Sequence, residues 1–425
     1  MRGFSPLQSA LWAHRNTSYV NAKNNIMLIN RRKFLTLGSL ATGTLMLPNF
    51  LKAFEAPVQV FGGNKVLVVL QLSGGNDGLN TVIPVRNDIY YRERPSLSIS
   101  KEKALSLSDD AGLHPSLTNL KALYDEGNLA ILNNVGYPNP DRSHFRSMDI
   151  WQTASNSDEV LNTGWLGRYL DSQCMDCSRP TQVLEMDDML SLALSGEHMK
   201  GIALRDPKRL YDTSQDPFFK EMLNAGMNQQ TEDPGSYLYK VMSETVSGAD
   251  YIFQQSKLRP SATVYPNSEI GKDLKTIASL ISSDINTRVY YISLGSFDTH
   301  VSQQEKQAKL FGDLNEAIKP FTDDLKSNCR FEDVLVMSFS EFGRRVGENG
   351  SGGTDHGTAN NMFLISGGLT NKGILNEMPD LSNLTEGDLN QQLDFKRVYA
   401  TVLNKWLQAD DYKILGRQYE YLNFI

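Results

Sequence analysis

The chain has 425 residues, of which 40% are hydrophobic and 21% charged, and its formal net charge at pH 7 is −7. This composition is typical of a globular protein, and the length accommodates either one large α/β domain or about two to three average domains. The acidic balance, with no lysine- and arginine-rich cluster interleaved with aromatic residues, excludes nucleic acid as an expected partner.

The first 56 residues are predicted to be an N-terminal extension followed by a targeting segment. Arg31 and Arg32 precede a modestly apolar stretch, Leu35–Leu47, that is rich in glycine, alanine and threonine. This order is typical of a signal peptide, and the paired arginines indicate export by the twin-arginine translocase. We expect a periplasmic or secreted protein, retained at the membrane if the signal stays uncleaved; the alternative is a chance arginine pair before a core helix. The mature chain has no run of about 18 or more uncharged apolar residues, so no transmembrane span is predicted in it.

Three apolar strands end in loops that contain a carboxylate close to glycine. These strands are predicted at residues 65–72, 289–294 and 334–339. The first is followed by Asp77, the second by Asp298 and the third by Glu341. Continuous apolar runs are typical of strands in a parallel sheet, where ligands bind beyond the carboxyl ends of the strands, so the three carboxylates predict a shared site. The alternative is a set of solvated loops whose acidic residues only cap helices.

The rest of the chain alternates predicted strands with predicted helices. Further strands are expected at residues 129–132, 182–186, 201–204 and 362–365. Helices are expected from 117 to 127, after Ser143, from 303 to 326 and from 397 to 407. This alternation predicts a three-layer α/β/α sandwich with a mostly parallel central sheet, formed by one domain over residues 57–425 with a polar helical insert around 206–262. His114, at the entry to the first of these helices, is expected to be a turn residue rather than a metal ligand.

Carboxylates and histidines are concentrated in the loops that follow the predicted strands. Divalent metals are bound by carboxylates and neutral imidazoles, usually with one position left for water or substrate. The expected metal ligands are Asp77, Asp298, His300, Glu341, Asp355 and His356. The expected catalytic residues are Ser143, His144 and Arg344.

Each catalytic candidate also has a purely structural interpretation. Ser143 is a natural N-cap for the helix that follows it, and His144 could simply stack on a neighbouring aromatic ring. Arg344, like Arg142 and Arg146, could bind an oxyanion through bidentate hydrogen bonds or merely pair with surface carboxylates. The sequence alone leaves these alternatives open.

The order of these motifs resembles the alkaline phosphatase superfamily, and more closely the exported bacterial family known as domain of unknown function 1501. The resemblance covers roughly residues 60–410. The segments that carry it are Leu72–Gly78, Arg142–Phe145, Phe297–His300, Ser340–Arg344 and Thr354–Gly357. It implies an alkaline-phosphatase-like fold, whereas the family itself carries no settled activity.

The resemblance to the superfamily also implies a role for each motif. Ser143 takes the place of the nucleophile, and Asp298, His300 and His356 would hold one divalent ion. Asp77 with Glu341 would hold or support a second ion, so that one or two ions of zinc, manganese, magnesium or calcium are expected. The chain departs from the superfamily where Phe342 replaces a metal-binding histidine, which weakens the second metal position.

Two functions follow as expectations. The first is metal-dependent hydrolysis of a phosphate or sulfate ester, with a small molecule or a polysaccharide as the substrate and Ser143 as the attacking group. The second is a non-catalytic exported protein that retains the fold and acts as a binding or assembly partner in the cell envelope. The Glu341-Phe342 departure favours the second interpretation.

Overall fold

The structure, a computed structural model, describes residues 65–173, 181–218, 220–221 and 234–425, so the predicted targeting segment lies outside the described residues. The strands are β1 (Val66–Leu72), β2 (Val82–Ile83), β3 (Leu105–Ser106), β4 (Gly112–Leu113), β5 (Leu129–Gly136), β6 (Val183–Glu185), β7 (Ile202–Ala203), β8 (Val289–Leu294), β9 (Val334–Phe339), β10 (Asn360–Ile365), β11 (Gly373–Ile374), β12 (Leu384–Thr385), β13 (Asp388–Leu389) and β14 (Leu393–Asp394). The α-helices are α1 (Gly78–Thr81), α2 (Asp88–Glu93), α3 (Thr118–Asp125), α4 (His144–Thr153), α5 (Trp165–Gln173), α6 (Pro207–Ser214), α7 (Pro234–Leu258), α8 (Glu269–Ser282), α9 (Gln303–Ser327), α10 (Phe395–Thr401) and α11 (Asp411–Leu415).

The central sheet has the strand order β11-β5-β10-β9-β1-β8-β6-β7, with β14 also paired to β5. β1 lies between β8 and β9 and pairs with both in parallel. β10 is antiparallel to both of its neighbours, β5 and β9. The mostly parallel sheet that the sequence predicted is therefore confirmed, and β1, β8 and β9 bring their carboxyl ends to one edge.

Helices cover both faces of this sheet, which explains why its central strands are mostly apolar. All seven residues of β1 are buried. Because side chains alternate along a strand, Val68 packs into one core with Ile277 of α8 and Phe311 of α9. Val69 packs into a second core with Ile150 of α4. The three-layer α/β/α sandwich is thus confirmed.

The helical region around residues 206–262 packs beside the β7 edge of the sheet. In its described parts, α6 and α7 contact each other through stacked rings of Tyr211 and Phe253, whose centroids are 4.4 Å apart. A β-carbon on Gly248 of α7 would lie 3.0 Å from Ile202 of β7, which shows how closely α7 approaches the sheet. Within the described part of the chain, every helix is too short or too polar to span a lipid bilayer. That this region is an insert in one domain over residues 57–425 stays a prediction.

Candidate metal centre

The loops after β1, β8 and β9 pack directly against one another at the carboxyl edge of the sheet. Gly74 has a φ of +117°, and a β-carbon there would collide with the backbone nitrogen of Asp298. Only glycine combines this conformation with so close a backbone approach. The strand-end loops that carry Asp77, Asp298 and Glu341 are therefore neighbours, as the sequence predicted.

Three imidazoles and one carboxylate converge in front of these loops. The Nε2 atoms of His300 and His356 lie 2.9 Å apart, and each lies close to Asp298 Oδ1, at 3.0 and 3.2 Å. His144 Nε2 lies 3.6 Å from the other oxygen of Asp298. Ligand atoms of His144, Asp298 and His356 all lie within 4.8 Å of one another, close enough for one ion to contact all three. We call His144, Asp298, His300 and His356 the histidine cluster.

Each imidazole of the histidine cluster is held from behind by an acceptor near its Nδ1 atom. The three contacts are His144 Nδ1 to Glu341 Oε1 at 2.8 Å, His356 Nδ1 to the carbonyl oxygen of Arg142 at 2.9 Å, and His300 Nδ1 to Asp355 Oδ1 at 3.4 Å. A proton donated from Nδ1 leaves a lone pair on Nε2, which points into the cluster. Histidines that bind metals are oriented by such outer partners.

Two features of the histidine cluster fit a divalent cation. Among the described residues, His144 Nε2 is a buried nitrogen with no hydrogen-bond partner, and a buried polar atom without a partner is costly. His300 and His356 present their Nε2 atoms to each other at 2.9 Å, so two lone pairs would face each other if both rings donate from Nδ1. A cation bound by His144, Asp298 and His356 would satisfy His144 Nε2 and the lone pair of His356, so these residues fit a metal ion.

Asp298 provides a permanent negative charge in this group. Burial alone would raise the pKa of its carboxyl, but the polar and positively charged groups around it, chiefly the Arg344 guanidinium, lower that pKa to about 2. Arg344 Nη2 donates to Asp298 Oδ1 at 2.8 Å. Since the carboxylate stays charged at any physiological pH, it can neutralise part of the charge of a divalent ion.

Glu341 orients His144 rather than facing the histidine cluster itself. Its side chain is 1% exposed, and its Oε1 atom also accepts a hydrogen bond from Gly74 N at 2.8 Å. The hydrogen bond to Glu341 raises the pKa of His144, whereas burial lowers the pKa of His356. A more basic imidazole is a stronger ligand once deprotonated, so Glu341 would strengthen His144 as a ligand.

Asp77 lies in a buried ion pair outside the histidine cluster. Its Oδ2 atom is 2.5 Å from Arg94 Nη1, and the two side chains are 1% and 0% exposed. Gln303 donates to the same oxygen, and Arg94 donates further hydrogen bonds to the carbonyls of residues 345–346. A guanidinium thus supplies the positive charge that a second metal ion was expected to bring to Asp77.

Sequence reasoning missed both Arg94 and Gln303. Arg94 lies outside the strand-end motifs, so no local pattern identified it. Gln303 left a signal, because it lies seven residues before Leu310, a spacing that puts both residues on one face of a helix. It is fully buried, and its Oε1 atom accepts a hydrogen bond from Thr354 at 2.6 Å. A polar residue on an apolar helix face indicates a buried hydrogen-bond network.

Ser143 lies at the N-cap position of α4, immediately before His144. Its backbone is extended there, with a φ of −83° and a ψ of 128°, yet its hydroxyl makes no capping hydrogen bond. Its backbone N–H donates to Asp141 Oδ1 at 2.7 Å. The hydroxyl of this exposed residue is therefore not committed to the helix end, and Ser143 directly precedes His144 of the histidine cluster.

Arg344 and Asp355 have supporting positions. Arg344 is 1% exposed, so it is not the surface residue that one interpretation expected. Its guanidinium donates to carbonyl oxygens of Gly74, Gly75, Phe297 and Thr354 as well as to Asp298. It therefore fastens three loops around the cluster and has few donors left for an oxyanion. Asp355 is exposed, and its Oδ1 atom lies 3.4 Å from His300 Nδ1.

Several solved structures are similar to this chain at low sequence identity. A protein in the alkaline phosphatase superfamily from Vibrio parahaemolyticus is 11% identical with a TM-score of 0.37, over 92% of this chain and 78% of that chain. A sulfatase from a Pseudoalteromonas species is 12% identical with a TM-score of 0.36, over 91% and 72%. The alkaline phosphatase of the Antarctic bacterium TAB5 is 9% identical with a TM-score of 0.33, over 71% and 92%. Likenesses this distant carry no argument about activity.

No curated protein matches the chain. Residues 64–414 match the family described as protein of unknown function DUF1501. This span includes β1, the helix that begins at His144, and every residue of the histidine cluster. The resemblance that the motifs suggested is confirmed, and the chain belongs to the DUF1501 family.

Proposed function

We propose that this protein is an exported hydrolase of phosphate or sulfate esters that uses one divalent metal ion. The histidine cluster would hold the ion, and Ser143 would attack the ester. The observation that carries the proposal is the convergence of three Nε2 atoms on Asp298, each ring being fixed from behind by its own acceptor.

The donor set favours zinc over the other expected metals. Imidazole nitrogens are preferred by zinc, whereas magnesium and calcium prefer an all-oxygen environment. We propose one ion rather than two, because each carboxylate expected at a second position already has a partner. Asp77 is paired with Arg94, and Glu341 with His144.

The residues of the chain prepare the site for ester hydrolysis. A divalent ion bound there would polarise an ester oxygen and favour a deprotonated hydroxyl beside it. Ser143 supplies that hydroxyl at the N-terminal end of α4, where the helix dipole also favours negative charge. Glu341 holds a proton on His144 Nδ1 so that Nε2 stays available, and Arg344 keeps Asp298 charged and in place.

Elemental analysis of the purified protein tests the metal centre. We expect about one equivalent of zinc per chain, since one donor set of this type binds one ion. His144→Ala and His356→Ala should lower the zinc content, whereas His198→Ala should not, because exposed His198 lies outside the cluster. Wild-type protein without stoichiometric zinc, manganese, magnesium or calcium would contradict the proposal.

Turnover of nitrophenyl phosphate and nitrophenyl sulfate tests the chemistry. We expect hydrolysis of at least one ester, lost with a chelator and restored by zinc. Ser143→Ala should retain the metal but lose kcat by at least about 10³-fold, as expected when a nucleophile is removed. Full metal content without turnover of either ester would instead support the non-catalytic envelope protein.

A further inference from the structure

Two arginines next to the histidine cluster converge on one buried carboxylate. Arg142 Nε lies 2.7 Å from Asp388 Oδ2, and Arg345 Nε lies 3.6 Å from Asp388 Oδ1. The Asp388 side chain is 2% exposed, whereas those of Arg142 and Arg345 are 36% and 39% exposed. The buried carboxylate thus holds two guanidinium groups side by side, and both still reach the surface. We call Arg142 and Arg345 the rim arginine pair.

The backbone places the rim arginine pair at the edge of the histidine cluster. The carbonyl oxygen of Arg142 contacts His356 Nδ1 at 2.9 Å, and Arg142 directly precedes Ser143. Arg345 follows Arg344, whose backbone pairs with that of His356. An ester bound at Ser143 and the histidine cluster would therefore have the rim arginine pair as neighbouring positive groups.

Several donors of the rim arginine pair have no acceptor within the described part of the chain. Among the described residues, the contacts of Arg142 involve Nε and Nη2, and the contact of Arg345 involves Nε. Arg142 Nη1 and both Nη atoms of Arg345 thus have donors left for an additional anion. Planar guanidinium groups bind phosphate and sulfate oxygens through such donors.

Glu386 shows that an anionic oxygen fits beside Arg142 of the rim arginine pair. Its Oε2 atom lies 3.2 Å from Arg142 Nη2, although the side chain is 74% exposed. Glu386 has a φ of +54° and precedes Gly387, with a φ of +89°, in the turn between β12 and β13. An exposed ion pair of this kind contributes little, so a bound anionic group would displace the Glu386 carboxylate at small cost.

We propose that the rim arginine pair is a subsite for a second anionic group of the substrate. The inference rests on the proposed function and narrows its substrate class to esters that carry a further phosphate or sulfate group. Asp388 neutralises only one of the two guanidinium charges, so the subsite has a net positive charge once Glu386 is displaced. A polymer or small molecule with repeated sulfate or phosphate groups has this chemistry, whereas a monoester of a neutral alcohol does not.

Binding of alkanesulfonates tests the subsite without any turnover, because a sulfonate cannot be hydrolysed. Calorimetry compares α,ω-alkanedisulfonates of one to four carbons with monosulfonates of the same length on the metal-loaded protein. At the best length we expect the disulfonate to bind about tenfold more tightly, as for one charged hydrogen-bond contact. Arg345→Gln should remove this advantage and leave monosulfonate binding unchanged, and Arg345→Lys should retain part of it. Equal affinity of both ligands for the wild-type protein would overturn the proposal.

Two more variants control for general electrostatics. Arg86→Gln removes a surface arginine that pairs with Asp109 and Asp110, and it should leave the disulfonate advantage intact. Glu386→Gln removes the competing carboxylate and should increase that advantage. If Arg86→Gln reduces the disulfonate advantage as much as Arg345→Gln does, general surface electrostatics explain the binding and the subsite proposal is wrong. Failure of ester hydrolysis alone would leave these binding results unaffected, so the two proposals fail separately.

Discussion

Individual side chains in this protein are held in charge states that their surroundings impose, and His114 is a clear case. Its ring is 5% exposed and lies against Phe311, with centroids 5.0 Å apart. Its Nδ1 atom accepts a hydrogen bond from Ser116 N at 3.1 Å, and burial lowers its pKa to about 4. His114 is therefore a neutral residue of the turn before α3, in agreement with the role predicted for it.

The depressed pKa of His114 predicts a pH dependence of stability. The folded-state pKa of His114 lies below the unfolded value near 6.5. The contribution of His114 to folding stability is therefore complete above pH 6.5 and is lost as the pH falls through about 4. The loss should reach about 3 kcal/mol in the free energy of unfolding. His114→Asn keeps an acceptor for Ser116 N but does not titrate, so its urea-unfolding free energy should fall less steeply between pH 6.5 and 4. An identical slope in both proteins would contradict the assignment.

The sequence identified those site residues whose signal is local. Asp298, His300 and His356 lie in glycine-containing loops beside predicted strands, where pattern and chemistry occur together. The contact between His144 and Glu341 could not be predicted, because it joins residues 197 positions apart in the chain. No propensity or periodicity encodes a contact of that separation.

At the scale of elements, a glycine lets the loop between β9 and β10, which contains His356, pack closely against the loop after β8. A β-carbon on Gly353 would collide with the backbone of Thr299 and His300, whereas one on Gly350 would meet nothing within 4 Å. The backbone around Gly353 is thus pressed against the loop that follows β8. This contact fixes the distance between His300 and His356, which lie on the two opposing loops.

Gly353→Ala should therefore weaken metal binding without removing any ligand. The added methyl group forces the two loops apart, and overpacking of this kind usually costs about 1–3 kcal/mol. We expect the zinc dissociation constant, measured by competition with a chromophoric chelator, to rise about tenfold or more. Gly350→Ala is the matched control and should change nothing. Equal zinc affinities in the two variants would show that loop contact does not set the cluster geometry.

Element prediction succeeded where periodicity was strong. The strands that became β1, β8 and β9, and the long helix α9, were found because buried apolar residues recur at the right spacing. Helix α8 was missed, although Ser268 caps it by accepting a hydrogen bond from Gly271 N at 3.3 Å. The predicted helix 397–407 is α10 followed by a π-helical turn, Val402–Trp406. Apolar spacing does not distinguish these two helix types.

At the scale of the whole molecule, the proposed metal centre and the predicted export signal are connected. Histidine and carboxylate ligands bind several divalent metals with little intrinsic discrimination. The twin-arginine route carries folded proteins, so a chain exported this way could fold around its ion before it leaves the cytoplasm. We propose that metal loading precedes export.

Changes in the targeting segment test whether metal loading precedes export. Replacing Arg31 and Arg32 together with lysine should leave a folded, metal-containing protein in the cytoplasm, as judged by fractionation and elemental analysis. Exchanging the targeting segment for a general secretory signal should deliver protein with an altered metal content to the periplasm. Normal metal content and stability after that exchange would contradict loading before export.

The Arg94 guanidinium is a counter-ion that the protein cannot lose. Because the chain tethers it, it stays at a fixed effective concentration next to Asp77. An ion in the histidine cluster is present only to the extent that its free concentration permits. In a metal-poor environment the loop after β1 would therefore keep its neutralised, hydrogen-bonded arrangement while the neighbouring cluster empties. The loop after β1 is then already ordered when an ion returns, so rebinding does not have to organise that loop.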